Sequence, residues 1–146
     1  MPTDGSNLRP GEFEITDQEE RLWRQVHPAW VHEGRVTSQL FSPTPKDSGE
    51  LSVTRASVVT AEAAHQHHTD VMGLKSIGVY CVDVTEVQDV GLNAVDDSQV
   101  DDGEQRPPGH AFVDYKGVSS PKQQKRRASI LRDKAEKRGW QYGPTT

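Results

Sequence analysis

The chain predicts an α+β fold: one domain in which a small mixed sheet of about four strands packs with about three helices, the last of them basic. Three observations carry this. Residues 75–87 are dense in β-branched and aromatic side chains and lie between Gly73 and Gly91, the composition of a strand. Shorter runs at 51–55 and 110–115 alternate apolar and polar residues, the period of a half-buried strand. Two helix starts carry caps, Thr60 before Ala61 and Ser120 before Pro121.

In chain order, residues 1–15 hold Pro2, Gly5, Pro10 and Gly11 without periodicity and read as a flexible N-terminal arm. The domain proper spans 16–142. Thr16 stands three residues before Glu19, a capping-box spacing that opens a short helix bearing Leu22, Trp23 and Val26. The same residues also alternate as a strand from Arg21, and periodicity alone does not separate the two. Pro28 ends that element. A turn of helix follows over 29–32, with Gly34 as its stop, and then a period-two run over 36–41. Pro43, Pro45 and Gly49 mark a loop before the strand at 51–55. The helix capped by Thr60 extends to about Asp70.

The run at 75–87 is the expected centre of the sheet. Ile77, Val79 and Cys81 take one face and Tyr80, Val82 and Val84 the other, so both faces need cover. The single cysteine, Cys81, lies inside this run and reads as a small buried hydrophobe. Eight acidic residues and no Lys or Arg occupy 83–104, and the part near 96–108 reads as a mobile, solvated loop. The last helix has a thin apolar stripe of Ala128, Leu131 and Ala135, and Gly139 closes it. Trp140 and Tyr142 are expected to fold back onto the body.

Composition bounds the function. The net charge of −5 conceals a basic segment, with nine Lys and Arg against Asp133 and Glu136 over 116–138. There is no apolar leader after a basic start and no run of 18 apolar residues. A soluble, cytoplasmic protein without membrane attachment is the expectation. His65, His67 and His68 share one predicted helix but lack the His-Glu-x-x-His spacing, so neither a metal nor a cofactor is assigned. No Gly-x-Ser-x-Gly motif is present, and Ser119 and Ser120 are accounted for by the helix start. The glycines at 73 and 78 lack the Lys-Ser/Thr ending of a phosphate loop.

The candidate site residues stand at element boundaries. His27 and His110 are the candidate catalytic acid/base groups, and Arg24 and Arg55 the candidate anion clamp for a phosphate or carboxylate. The segments around Leu22-Trp23-Arg24, Phe41, Gly49-Glu50-Leu51-Ser52 and Thr60-Ala61-Glu62 resemble the order of elements in small ADP-ribosyltransferase-like folds, including the RES toxins. That resemblance covers residues 21–64. It implies an NAD-binding role for Arg24 and a second anion contact at Arg55, with Glu86 and Asp114 both open as the later acid. Against enzymatic action on a nucleotide or phosphorylated substrate stands a binding role. The cationic helix, through Lys125, Arg126, Arg127 and Arg132, suits an acidic protein partner or, as a further alternative, nucleic-acid phosphates. The leading expectation is a protein-interaction or accessory domain working through its charged helix.

Overall fold

A computed structural model of the chain describes residues 8–145; residues 1–7 of the expected arm lie outside the described residues. In chain order the strands are β1 (Phe13–Glu14), β2 (Arg21–Gln25), β3 (Val31–His32), β4 (Arg35–Val36), β5 (Glu50–Arg55), β6 (Val79–Asp83), β7 (Asn93–Asp96) and β8 (His110–Asp114). The helices are α1 (Ala61–Gln66), α2 (Val84–Asp89) and α3 (Pro121–Arg138). Six strands form one sheet in the order β1-β7-β8-β5-β2-β6, and β3 with β4 makes a separate hairpin. Every pairing is antiparallel. The α+β class stands, with more strands than the expected four and an antiparallel rather than mixed sheet.

One face of the sheet carries the core. Leu22, Leu51, Val53, Val82, Ala111 and Val113 are buried there together with Ala128, Leu131 and Ala135 of α3. Small residues on the helix let it approach the sheet closely. Ser120 caps α3 by accepting from the Gln123 amide at 3.3 Å, and Pro121 opens its first turn as the sequence indicates. Tyr115 crosses the core to donate from its hydroxyl to the Phe41 carbonyl at 2.6 Å.

The position of β6 corrects the expected centre. It lies at the end of the strand order, while β5 and β8 occupy the middle. It is nevertheless buried, because the chain end wraps it. Val79 donates to the Tyr142 carbonyl at 2.9 Å, Gln141 donates to the Val79 carbonyl at 2.8 Å, and Trp140 stacks on Tyr80 with ring centroids 4.3 Å apart. The strand also stops earlier than the apolar run. Asp83 and Glu86 exchange backbone-to-carboxylate bonds of 2.8 and 2.9 Å, a capping box that turns residues 84–89 into α2.

Four other readings are decided by the structure. The strand reading prevails over the helix at 21–25, since Glu20 is held by Arg55 and by the Ser57 amide. The run at 36–41 becomes a 3-10 turn over Ser38–Phe41 that buries Leu40 and Phe41 together, whereas alternation would send them to opposite faces. Residues 8–15 are built into the fold: β1 pairs with β7, and Ile15 is 2% exposed. The acidic stretch is likewise not a solvated loop at its start, because β7 includes Asp96 and both Asp96 and Asp97 are buried.

Candidate active site

The second face of the sheet is only partly covered, and its open part begins where two strands separate. β2 pairs with β6 along five residues but with β5 only at Leu22 and Trp23. Past Trp23 the two strands part, and the Arg24 side chain enters the gap. Its Nε donates to the Leu40 carbonyl at 2.7 Å and its Nη1 to the Ser52 carbonyl at 2.9 Å. The guanidinium also lies over the Trp30 ring, 4.9 Å from its centroid, a cation–π contact. Burial lowers its pKa, and it keeps its charge at neutral pH.

On the adjoining strands the register brings three groups together. Thr54 pairs with His110, so Ser52, two residues along on the same face, is the diagonal neighbour of His110 and within side-chain reach. Asp96 pairs with Ala111, which leaves Asp97 beside His110. The result is a chain of bonds: His110 Nδ1 lies 2.7 Å from Asp97 Oδ1, and His110 Nε2 lies 3.2 Å from Ser52 Oγ. Asp97 is buried and receives a second bond from Arg106 Nε at 3.2 Å, while Ser52 is exposed. With Nδ1–H donated to the carboxylate, the imidazole presents its Nε2 lone pair to the serine hydroxyl. A hydroxyl, an imidazole and a buried carboxylate bonded in this order is the arrangement that serine-type chemistry uses.

Local backbone fixes the histidine. Gly109 has φ +76°, and a Cβ there would sit 3.0 Å from the Val58 Cβ, so only glycine fits the turn that delivers His110. Its carbonyl accepts from the Arg55 amide at 2.8 Å.

Three adjoining hollows share Gln25 and His68, and Ser52 lines the first of them. The first, of about 150 Å³, is lined by Arg24, Ser52 and His110. The second, about 160 Å³, lies between α1 and Pro107-Pro108. The third, about 330 Å³, is lined by Arg24, His27 and Trp30. Burial is the main cause that lowers the His68 pKa. His27 accepts the Ala29 amide on Nδ1 at 3.0 Å.

Of the sequence-derived candidates, Arg24, His27 and His110 therefore border one cleft. Arg55 stands apart from it. Its guanidinium reaches Glu20 at 2.7 Å and Asp96 at 2.8 Å, and it lines none of the three hollows. The residues on α3 divide. Arg127 donates to the Gly91 carbonyl at 3.4 Å, and Arg132 to the Val36 carbonyl at 3.2 Å and to Asp133. Lys125 and Arg126 are exposed.

Ser52 and Asp97 are the members that sequence reasoning missed. Ser52 lacks any local motif, and Asp97 sits in a run that reads as solvated. The available signal was the pairing of two alternating strands, 51–55 with 110–115, whose shared face carries Ser52 and His110. Among the described residues no group of three or more His, Cys, Asp or Glu is arranged to hold a metal ion, and no helix is long and apolar enough to cross a membrane. No protein-family model, curated protein or solved structure matches the chain.

Proposed function

We propose that this protein is an enzyme of acyl-transfer type, a hydrolase of esters, with Ser52 as nucleophile, His110 as general base and Asp97 as the group that orients it. The single observation that carries the reading is the bonded series Ser52 Oγ, His110 Nε2 and Nδ1, and Asp97 Oδ1 at 3.2 and 2.7 Å beside an open cleft. In the first step Ser52 Oγ bonds to the ester carbonyl carbon as its proton passes to His110 Nε2. Collapse of the intermediate breaks the bond to the leaving oxygen, which takes that proton. Water then attacks the acyl-serine by the same route in reverse, releasing the acid and restoring the hydroxyl. Arg24, bonded to the Ser52 carbonyl, supplies positive charge for the developing oxyanion or for an anionic group of the substrate.

A fluorophosphonate probe tests this directly. The expected result is a single covalent adduct on Ser52 found by peptide mass analysis, absent in Ser52→Ala and formed at least about a hundredfold more slowly in His110→Gln. Ser52 is exposed and its side chain holds no core contact, so the alanine variant keeps its fold. Labelling of a different serine, or unchanged labelling in His110→Gln, overturns the proposal.

A second reading, binding of an acidic protein partner, is supported by the exposed Lys125 and Arg126 on α3. It uses a different surface and is compatible with the first.

A further inference from the structure

The third hollow of the cleft is lined by cations and by nothing that neutralises them. Arg24 and Lys75 border it together with His27, His68 and Trp30, and among the described residues no Asp or Glu does so. Lys75 is exposed, and among the described residues neither it nor Arg24 forms an ion pair. Asp47, whose charge acts on Arg24, accepts from the Thr44 amide at 2.6 Å and stands outside the lining. Burial, and after it repulsion from Arg24, His65 and His27, lowers the His68 pKa, so the cationic groups converge here. A concave surface of one sign concentrates the opposite charge.

The donors left over can be named. Arg24 gives Nε to the Leu40 carbonyl and an Nη1 hydrogen to the Ser52 carbonyl, and Trp30 lies over its plane. These contacts fix the guanidinium and leave Nη2 without a partner among the described residues. Nη2 is not closed off, because the buried, unpartnered side-chain atom among the described residues is His67 Nδ1. His27 adds a second donor: its Nδ1 accepts the Ala29 amide, so the ring proton of the neutral form sits on Nε2. A fixed guanidinium with open N–H groups beside an ammonium is a donor set for carboxylate or phosphate oxygens.

We infer that this hollow holds an oxyanion group of the substrate, a carboxylate or a phosphate, through Arg24 Nη2, His27 Nε2 and the Lys75 ammonium. Arg24 also lines the hollow of Ser52 and His110, so a molecule seated in both runs from the anion to the reacting carbonyl. Given the ester hydrolase reading on which this rests, the substrate class is esters that carry a negative charge.

Glutarate and inorganic phosphate serve as probes, with glutardiamide as the neutral control, each titrated against the full chain while amide proton–nitrogen shifts are followed. At least one anion is expected to move the amides of His27, Leu74 and Lys75 and to bind about tenfold more tightly than the diamide, the worth of a hydrogen bond to a charged group. The tighter anion names the oxyanion. Lys75→Glu, a reversal at an exposed position, removes the preference. Ser52→Ala leaves the affinities unchanged, so anion binding and the serine reaction are read independently. In turnover, monomethyl glutarate or the acetyl ester of γ-hydroxybutyrate should show a KM about tenfold below that of dimethyl glutarate. Equal affinity for the anions and the diamide overturns the inference, as does anion binding that persists in Lys75→Glu. Equal KM for all three esters overturns the substrate class.

Discussion

Arg24 and Arg55 start as similar residues at the ends of neighbouring strands and differ in what neutralises them. Arg24 spends its donors on two carbonyls and a tryptophan face, feels Asp47 only at longer range, and lines the cleft. Arg55 is wedged between two carboxylates, Glu20 and Asp96, whose side chains are 2% and 6% exposed. Removing Arg55 leaves both carboxylates buried without a counter-ion. Arg55→Met is therefore expected to lose about 3–5 kcal/mol in urea unfolding. The sign of the pH dependence follows. Burial pushes both carboxyls up, but Arg55 with Ser57 at Glu20, and Ser98 with Arg55 at Asp96, overcome it and hold both pKa values below their ordinary range. Their contribution is complete above about pH 4, the unfolded carboxylate range, and is lost as pH falls through the lower folded values. In Arg55→Met the Ser57 and Ser98 bonds remain but the guanidinium no longer opposes burial, so both values rise and the stability lost on acidification should shrink. An unchanged acid slope in the variant would show that the pair is not neutralised by Arg55. At this scale the cleft was half legible. Boundary positions exposed Arg24, His27 and His110, because a scaffold holds working groups at strand ends. Ser52 and Asp97 are recruited through cross-strand register, which single-chain periodicity does not contain.

Among the elements, β6 shows why a run of apolar residues can mislead about position. Burial on both faces was legible from its composition, yet it sits at the edge because Trp140, Gln141 and Tyr142 supply the missing neighbour. An edge closed in this way is protected from pairing with another chain. Gly78 makes the closure fit, since a Cβ there would stand 2.5 Å from the Tyr142 carbonyl oxygen and 2.8 Å from the Trp140 ring. Gly78→Ala is expected to cost about 1–3 kcal/mol, with the Val79 amide losing hydrogen-exchange protection and Trp140 shifting its emission to the red. Retained protection at Val79 would mean that the chain end is held by other contacts. Elements whose evidence is local were readable: Thr60 and Ser120 cap the helices at the expected residues, and residues 51–55 and 110–114 are strands. Those decided by tertiary partners were not. The capping box at Asp83 overrides a β-branched run, and packing of Phe41 and Leu40 into the core overrides an alternating one.

Across the whole molecule, charge is distributed by use. The acidic stretch is consumed partly inside: Asp96 and Asp97 pair with Arg55, Arg106 and His110, while Asp83 and Glu86 receive Arg138 from the end of α3. The basic helix is consumed on its inner side, where Arg127, Arg132 and Arg138 reach carbonyls or carboxylates of the body. Its outer side keeps Lys122, Lys125, Arg126, Lys134 and Lys137 exposed. If an acidic partner docks here, the two sets separate by experiment. On immobilised polyglutamate, retention of the native chain should fall steeply between about 0.05 and 0.2 M salt, as the screening length shortens. The double variant Lys125→Glu and Arg126→Glu should lose retention with its melting temperature unchanged. Arg127→Gln and Arg132→Gln should keep most of the retention and lower the melting temperature, because these two anchor the helix. Equal loss of retention in both pairs, without a change in melting temperature, would place the partner surface across the inner side as well and remove this division of labour.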